Sequence, residues 1–550
     1  MTDSELDALF GPKRATAPLG VVVSGSLSKG LDVKLDYRTA VLEGLAVGRY
    51  VVIQGTTGRR FFGMVTDLML DSANPDLYRS PPEDDFAREI YRGSAAFGMM
   101  HVAPMLVLEA EGQEPRPIKT IPSHFSPVLE ASEEDVNLVF GAEDEGHFFI
   151  GSPLEMESVQ VNLDLGRFVE RSSGVFGKSG TGKSFITRMI LAGIVRANSA
   201  STLIFDMHND YGWSVKDEAG REFKGLRQLF PDGRVSVFTL DPQTSQHRGS
   251  KTDGVLQIGR EQIEPEDVEM LSDLLGLTEV QTGALFFLSR RLGPGWIDTL
   301  LEEGETAELD EIEESGKVLA GTLRAIQRKF ELFRRMGFLV KGKGHDAVDD
   351  IFQKLAKGTH VVLEFGNYGN TLAAYVLVAN YLTRRIHQKY VDQKNRAAGR
   401  QADEPKPLMI VIEEAHKFLD PAIASHTIFG NIARELRKYN VTLLIVDQRP
   451  SGIDDEVMSQ IGTRVTCLLD NEADIRAVFS GVSGAGALRE VLARLDTRQQ
   501  ALILGHAVPM PVVVKAREYD QSFYAAMGHV EGEARKEKAR RGREALFGEE

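Results

Sequence analysis

Short runs of apolar, β-branched and alternating residues dominate positions 19–164 of the chain. The run 31–35 alternates strictly. The runs 49–54 and 61–65 flank the glycine-bearing turn 55–58, which is typical of a hairpin. A short β-branched run lies at 21–23, and further short strand-like runs lie at 98–102 and 104–108. The first part of the chain is therefore predicted to consist of short β-strands.

Glycine and proline separate these strands over roughly 140 residues, a pattern that is typical of a small β-barrel. We assign the barrel to residues 19–164, after an N-terminal tail of residues 1–18. The stretch 71–85 is polar and contains proline, so we expect a loop there.

Beyond residue 164 the pattern changes to buried strands that alternate with helical runs, which indicates a parallel sheet. Apolar strand-like runs lie at 202–205, 360–365, 408–412 and 441–446. The charged region 261–339 has few strand candidates, so we predict a helical insertion there, and we expect a loop over 392–406. The predicted class is α/β, with a mostly parallel sheet over 165–260 and 340–525 and a charged tail over 526–550.

The composition is that of an ordinary soluble globular protein, and it excludes several classes. The single cysteine, Cys467, excludes a disulfide framework and a cysteine-based zinc site, and we expect it to be buried. No signal peptide opens the chain and no apolar run reaches membrane-spanning length, so we expect a cytoplasmic protein without a membrane anchor. The net charge of −16 argues against a protein coated in nucleic acid, but it allows a local basic channel for DNA.

Residues 177–184 form a glycine-rich loop between an apolar run and a run with helical spacing, which is the context of a phosphate-binding loop. Its glycines let backbone N–H groups turn around phosphate oxygens at a helix N-terminus. We expect Lys183 to reach the β- and γ-phosphates and the Ser184 hydroxyl to bind Mg²⁺. A nucleoside triphosphate, ATP by default, is predicted to bind with Mg²⁺ at Gly177, Ser179, Gly180, Thr181, Gly182, Lys183 and Ser184.

Two carboxylates follow the apolar run 408–412, and this order suits the metal and water side of a nucleotide-hydrolysing site. Glu413 is expected to hold Mg²⁺ through its water shell, and Glu414 to orient and polarise the attacking water. The next strand, 441–446, is followed by Gln448. We expect that strand to lie between the phosphate-loop strand and the acid-bearing strand, with Gln448 sensing the γ-phosphate.

The run 433–439 carries Arg434, Arg437 and Lys438 near the end of a predicted helix. Basic residues at such an end commonly lie in solvent and favour the helix dipole. The planar, permanently charged guanidinium also suits an arginine finger, which stabilises the charge developing on a neighbouring subunit's γ-phosphoryl group. The residues alone leave both interpretations open.

The motifs, taken in order, resemble those of the HerA family of hexameric DNA-pumping ATPases. They are the phosphate loop 177–184, the segment 206–211, the run Glu413-Glu414-Ala415-His416, the run 434–438 and the run Gln448-Arg449-Pro450. The resemblance covers most of the chain and implies a RecA-like P-loop NTPase core behind the N-terminal barrel. Glu413 stands where the family more often has aspartate.

The resemblance also implies roles for individual residues. It implies Asp206 as an acid of the nucleotide site, Glu414 as the catalytic carboxylate and Arg437 as the finger acting on the neighbouring subunit. It further implies a nucleotide contact for Arg171. Lys183, Gln448 and Glu413 complete the predicted catalytic set.

The resemblance implies a homohexamer with double-stranded DNA in its central pore and a NurA-like nuclease docked at the barrel, working in DNA end processing or repair. The alternative is an ATPase scaffold of an antiphage defence complex that gates a bound effector nuclease or NAD-hydrolysing protein. Lys216, Arg221 and Lys224 are candidates for DNA contact or for solvated surface. A conjugative coupling ATPase is disfavoured because no membrane anchor is evident, and a transporter ATPase because no Leu-Ser-Gly-Gly stretch occurs.

Overall fold

The computed structural model describes residues 17–38, 42–108, 115–154, 156–216, 220–302, 307–345, 347–397, 404–434, 438–482, 485–496 and 499–529. The chain divides into two compact units. The first comprises residues 1–164, 176–182 and 463–517, and the second comprises residues 165–175, 183–462 and 518–550. Strands carry the numbers β1 to β23 in chain order.

Six antiparallel strands of the first unit close into a barrel. They are β1 (Gly20–Ser26), β2 (Gly30–Leu35), β3 (Tyr50–Gln54), β4 (Arg60–Ser72), β5 (Ala96–Leu108) and β7 (Pro127–Glu130). A short additional strand, β6 (Arg116–Pro117), pairs with β5. The order is β2-β1-β7-β3-β4-β5, and β5 pairs back with β2, which removes the exposed edges. Leu31, Val33 and Leu35 are buried in its core, as their alternation predicts. The predicted small barrel is confirmed.

The runs 98–102 and 104–108 form one long strand, β5, so the prediction of two short strands was wrong. Pro104 cannot donate a ladder hydrogen bond, and it lies opposite Gly63 next to an irregularity in the pairing with β4. The irregularity accommodates the proline, and the strand continues through it.

The range 71–85 is not a plain loop, because β4 continues into it and two short helices follow. These helices are Asp76–Arg79 and Asp85–Tyr91. The Asp84 side chain caps the second helix by accepting a hydrogen bond from the Ala87 N–H at 2.7 Å. The polar composition that suggested a loop here therefore includes a helix-capping residue.

The rest of the first unit is an antiparallel sheet with flanking helices. In pairing order its strands are β21 (Thr463–Thr466), β22 (Gln500–Gly505), β23 (Val512–Ala516), β8 (His147–Pro153) and β9 (Val161–Asp164). The helices are Glu133–Phe140, Glu472–Val478 and Ala485–Ala493. Residues 176–182 join this unit through backbone hydrogen bonds from Cys467 to Phe176 (2.8 Å) and from Lys178 to Leu468 (3.1 Å). Cys467 is buried, as predicted.

The second unit is built on a sheet of mostly parallel strands. In pairing order they are β15 (Gly254–Val255), β14 (Val235–Thr239), β18 (His360–Glu364), β11 (Ser201–Asp206), β19 (Leu408–Glu413), β20 (Val441–Asp447) and β10 (Ser173–Phe176). The pairs from β15 to β20 are all parallel. Strand β20 lies between β19 and β10, which confirms the strand insertion predicted from the sequence. The α/β class is confirmed.

Helices accompany this sheet along the chain. They are Leu165–Glu170, Lys183–Ala197, Leu226–Leu229, Pro242–His247, Ala347–Ala356, Leu372–Ala397, Ile428–Arg434, Asp455–Gln460 and Gln521–Ala526. Two short strands, β12 (Val215–Lys216) and β13 (Glu222–Phe223), form a small antiparallel pair. Within the described ranges, no helix combines the length and the apolar character needed to cross a membrane.

The helix Leu372–Ala397 extends into the range 392–406, so the loop expected to begin at 392 was wrong. Polarity alone does not end a helix, and this stretch holds no glycine or proline before residue 399. Gln388 donates a hydrogen bond to Asp392 one turn later at 2.9 Å, which supports the last turns of the helix.

Helices fill the described part of the predicted insertion. They are Pro265–Glu269, Ser272–Leu275, Glu279–Leu292, Trp296–Leu301, Ala307–Glu314 and Ala320–Arg335. Trp296 packs edge-on against Phe330, with ring centroids 5.7 Å apart. Buried Asp267 accepts hydrogen bonds from Arg384 (2.8 Å) and Arg385 (2.9 Å), which tie the insertion to the helix Leu372–Ala397. Strands β16 (Ile258–Gly259) and β17 (Leu339–Val340) pair in parallel at its two ends.

Candidate active site

The phosphate loop runs from β10 to the helix Lys183–Ala197, in the order that the sequence predicts. Gly180 and Gly182 have φ angles of +79° and +94°, a region that side chains of L-residues rarely occupy. The Thr181 hydroxyl donates to the Lys178 carbonyl at 2.7 Å and braces the turn. A loop of this backbone at a helix start has the chemistry of an anion site.

Three carboxylates end adjacent strands of the second unit. They are Glu364 on β18, Asp206 on β11 and Glu413 on β19, and all three are buried. Burial and then the charge of Asp206 raise the pKa of Glu413 to about 8 and that of Glu364 to about 7. Burial and then the charge of Asp210 raise the pKa of Asp206 to about 6. The carboxyl ends of parallel strands meet at one edge, which is why these acids are neighbours.

Glu364 was missed by the sequence reasoning, although a signal for it exists. It ends a buried apolar strand, as Glu413 does. Its Oε2 accepts a hydrogen bond from the Ser245 hydroxyl at 3.3 Å, and its Oε1 has no hydrogen-bond partner within the described part of the chain. A buried carboxylate with so few partners costs stability when it ionises.

We predict that Glu364→Gln stabilises the protein at alkaline pH. The folded pKa of about 7 lies above the ordinary value of 4.5, so ionisation favours the unfolded state and stability falls as pH rises from about 4.5 to about 7. The glutamine removes this loss, which is on the order of 3 kcal/mol at pH 8 and much smaller at pH 5.

The measurement is the thermal unfolding midpoint of wild type and variant at pH 5 and pH 8. Exposed Glu145 supplies the matched control, because Glu145→Gln is expected to shift neither midpoint. Equal midpoints for wild type and Glu364→Gln at pH 8 would contradict a raised pKa for Glu364.

Asp206 directs its carboxylate to the backbone of the turn that follows it. Its oxygens accept hydrogen bonds from the N–H groups of Asp210 (2.6 Å), Tyr211 (2.9 Å) and Gly212 (3.1 Å). Asn209 in this turn has a φ of +56°, and its side-chain oxygen accepts from the Gly366 N–H at 3.0 Å. The contacts of Asp206 are therefore those of a residue that orders the turn.

Glu413 is held by two buried tyrosines, Tyr211 and Tyr375, to which the sequence reasoning gave no role, although Tyr211 ends the segment 206–211 that carries the family resemblance. The Tyr211 hydroxyl donates to its Oε1 at 2.8 Å. The Tyr375 hydroxyl accepts from the Glu413 N–H at 3.0 Å and donates to the Glu413 carbonyl at 2.9 Å. Oε2 of Glu413 is buried and has no hydrogen-bond partner among the described residues. One carboxylate oxygen therefore remains available to a ligand.

Glu414 adopts a left-handed backbone conformation, with a φ of +48°, directly after the strand. Gln448 Nε2 donates to its Oε1 at 2.9 Å, so the structure brings together two residues of the predicted catalytic set. Residues other than glycine rarely adopt this conformation, and those that do cluster at functional sites.

His416 and Asp447 form a second pair beside Glu414, and the sequence reasoning assigned neither a role. The His416 N–H and ring Nδ1 lie 2.8 Å and 3.0 Å from Asp447 Oδ2, and Nδ1 lies 3.6 Å from Glu414 Oε2. Burial favours a higher pKa for Asp447, but the hydrogen bonds and charge of His416 hold it below the ordinary value. Two consecutive residues at the end of β20 therefore hold two residues that follow β19: Asp447 binds His416, and Gln448 binds Glu414.

The predicted arginines have different environments. Arg434 ends the helix Ile428–Arg434, and its guanidinium donates to Glu456 (3.0 Å), Asp454 (3.3 Å) and the Ala424 carbonyl (3.2 Å). Arg437 lies outside the described residues. Arg171 is exposed. Arg434 is committed to these contacts, so its role in the run 433–439 is structural.

The three candidates for DNA contact, Lys216, Arg221 and Lys224, also have different environments. Lys216 and Arg221 are exposed on the short strand pair or next to it. The Lys224 backbone N–H donates to the Tyr524 hydroxyl at 3.3 Å, and its carbonyl accepts from the Tyr519 hydroxyl at 2.8 Å. The Lys224 ammonium also lies 3.1 Å from His529 Nε2 and 5.6 Å from the centroid of the Tyr524 ring. Lys216 and Arg221 are exposed and are therefore the better candidates.

Comparison with known proteins gives a consistent result. Residues 148–386 match the family described as Helicase HerA, central domain. The chain is 24% identical over 443 residues to the DNA double-strand break repair helicase HerA of Pyrococcus furiosus, covering 76% of this chain and 78% of that protein. It is 26% identical over 422 residues to the protein of the same name from Saccharolobus solfataricus, covering 75% and 76%.

Among solved structures, the chain is similar to VirB4 of Thermoanaerobacter pseudethanolicus, with a TM-score of 0.45, 13% identity, and coverage of 70% of this chain and 99% of that one. Another is the bacterial conjugative coupling protein TrwB, with a TM-score of 0.46, 11% identity, and coverage of 71% and 93%.

Proposed function

We propose that this protein is an ATP-driven translocase of double-stranded DNA, and the match of residues 148–386 to the HerA helicase central domain supports this proposal. The observation that carries the proposal is the pair of acids at the end of β19. Glu413 keeps one buried carboxylate oxygen without a partner among the described residues, and Glu414 is bonded to Gln448 at 2.9 Å. A metal-side acid next to a water-side acid is the arrangement that nucleotide hydrolysis requires.

We propose the following division of roles. The loop 177–182 and Lys183 bind the phosphates of ATP, and Gln448 senses the γ-phosphate. Glu414 accepts a proton from the attacking water or polarises it, so that the water oxygen attacks the γ-phosphorus as the bond to the β-phosphate oxygen breaks. Asp206 acts through the turn that it orders.

The residues present fit a magnesium ion. Ser184 supplies a hydroxyl at the start of the helix Lys183–Ala197, and Glu413 supplies a carboxylate oxygen that no described group satisfies. Mg²⁺ usually keeps several waters and binds proteins through few carboxylates. When bound, the ion would neutralise charge on the β- and γ-phosphates.

We propose that the active assembly is a ring of six subunits, in which Arg437 acts on the nucleotide of its neighbour. Arg434 is held by Glu456, Asp454 and the Ala424 carbonyl, which anchors the end of the helix Ile428–Arg434. Arg437 follows this anchored helix end by three residues in the sequence. A finger supplied by one subunit to the next requires an oligomer with repeated identical interfaces.

DNA in the pore of this ring would be held by its phosphates with little sequence preference. The curated relatives are named as double-strand break repair helicases, which supports work at DNA ends. We propose a NurA-like nuclease as the partner, docked at the barrel. The other candidate is an ATPase scaffold in a defence complex that gates a bound effector without moving DNA.

We predict that linear double-stranded DNA stimulates ATP hydrolysis by the purified protein at least several-fold. Raising the salt concentration from about 50 to 200 mM should weaken this stimulation, because phosphate contacts release counterions. Lys216→Ala and Arg221→Ala should raise the DNA concentration needed for half stimulation. Turnover that does not respond to DNA would favour the scaffold function instead.

A further inference from the structure

The hydroxyl of Tyr211 lies 2.8 Å from Oε1 of Glu413 and donates to it. Both residues are buried, with Tyr211 fully inaccessible and Glu413 only 6% exposed. A carboxylate in a dry environment forms a stronger hydrogen bond than one in water. The contact therefore restrains the side chain of Glu413.

The position of Tyr211 is itself fixed by Asp206. One oxygen of Asp206 accepts from the Tyr211 N–H at 2.9 Å and from the Gly212 N–H at 3.1 Å, and the other accepts from the Asp210 N–H at 2.6 Å. Arg248 donates to the Asn209 carbonyl at 2.9 Å on the other side of the turn. The turn 206–212 is thus held at several points, and Tyr211 projects from it onto Glu413.

The restraint matters because the side chain of Glu413 is longer than that of the aspartate more often found at this position. A glutamate side chain has one more rotatable bond than an aspartate, so its carboxylate has more positions to occupy. Tyr375 fixes the backbone of Glu413 at its N–H and its carbonyl but makes no described hydrogen bond to its carboxylate. Tyr211 is therefore the described residue that selects a carboxylate position.

We propose that Tyr211 is a positioning residue for Glu413 and that Asp206 acts through it. Tyr211 occupies Oε1 and leaves Oε2 as the oxygen for a water bound to Mg²⁺. Groups that orient metal ligands in this way commonly change metal affinity by about 10–100-fold when removed. The proposal rests on the proposed function, because it concerns the metal side of the same site.

The test is Tyr211→Phe, which removes one hydroxyl and keeps the ring that fills the core. We expect the Mg²⁺ concentration for half-maximal binding of a fluorescent ATP analogue to rise by about tenfold or more. Binding of the analogue in EDTA should stay as in wild type. The Mg²⁺ concentration for half-maximal ATP hydrolysis should rise in parallel.

Tyr390→Phe is the matched control. Tyr390 is a buried tyrosine of the same unit, and its hydroxyl has no hydrogen-bond partner among the described residues. Loss of that hydroxyl is expected to leave the Mg²⁺ requirement unchanged. The thermal unfolding midpoints of both variants establish that each one is folded.

Glu413→Asp separates positioning from general destabilisation. It withdraws the carboxylate from the Tyr211 hydroxyl, so adding Tyr211→Phe to Glu413→Asp should change the Mg²⁺ requirement less than twofold. A full tenfold change in that background, or a wild-type Mg²⁺ requirement in Tyr211→Phe, would overturn the proposal. Wild-type protein that binds no ATP analogue would instead reject the proposed function, so the two failures are distinguishable.

Discussion

Glu414→Gln is expected to lower the rate of ATP hydrolysis by about a hundredfold or more while leaving ATP affinity close to that of wild type. The glutamine keeps the shape of the side chain and retains an oxygen that can accept from Gln448, whose Nε2 lies 2.9 Å from Glu414 Oε1. It cannot accept a proton from water, so only the chemical step is lost. Single-turnover hydrolysis and equilibrium binding of a fluorescent ATP analogue measure the two effects separately.

Two further variants serve as comparisons for Glu414→Gln. Lys183→Ala should lose ATP binding as well as hydrolysis, because it removes the positive charge at the phosphates. Glu145→Gln makes the same chemical change at an exposed position and should hydrolyse ATP at the wild-type rate. Turnover near the wild-type rate in Glu414→Gln would remove Glu414 from the catalytic role.

Arg437→Ala is expected to cut turnover by about a thousandfold or more at nearly unchanged ATP affinity. The reason is that an arginine finger stabilises charge that develops in the transition state rather than in bound ATP. Arg437 follows the helix Ile428–Arg434, whose last residue is already bonded to Glu456 and Asp454 and is not available for this role. Exposed Arg290, on the insertion helix Glu279–Leu292, supplies the control Arg290→Ala.

Mixing two inactive proteins tests whether the finger acts between subunits. A Glu414→Gln subunit can still lend its Arg437, and an Arg437→Ala subunit can still use its own Glu414. Mixed rings, verified by native mass spectrometry, should therefore recover part of the ATPase activity. Verified mixed rings without any recovery would place Arg437 in its own subunit's site or in a structural role.

The local motifs were predictable because their chemistry depends on consecutive residues. The phosphate loop 177–184 carries its own backbone requirement, seen in the positive φ angles of Gly180 and Gly182. The pair Glu413 and Glu414 follows an apolar run that can only be a buried strand in this setting. The location of β20 between β19 and β10 was predicted from the second acid, Glu414, that directly follows Glu413.

The contacts that orient these groups were not predictable, since they join residues far apart along the chain. Tyr211 and Glu413 are 202 positions apart, and their hydrogen bond exists because β11 and β19 are neighbours in the sheet. Glu364 joins the row of acids because β18 pairs with β11. The pairing of β18, β11 and β19 is a property of the folded sheet, and the pattern of these short apolar runs does not encode it.

Two loops predicted from polar composition were wrong, and the physical reason is the same for both. The runs 71–85 and 392–406 were assigned to loops because they are polar. The first holds the helix Asp76–Arg79 and the start of the helix Asp85–Tyr91, which Asp84 caps. The second begins as the last turns of the helix Leu372–Ala397. Solvent-exposed helical turns are also polar, so polar composition alone does not mark a boundary.

Displacement of a third strand from a DNA triplex tests the translocase proposal most directly. The substrate is a linear duplex with a fluorescent strand bound in its major groove, which a protein moving along the duplex removes. We expect wild-type protein with ATP and Mg²⁺ to release that strand, and Glu414→Gln protein to bind the DNA without releasing it. DNA-stimulated ATP hydrolysis by the wild-type protein with no release of the strand would contradict translocation and favour an ATP-driven scaffold.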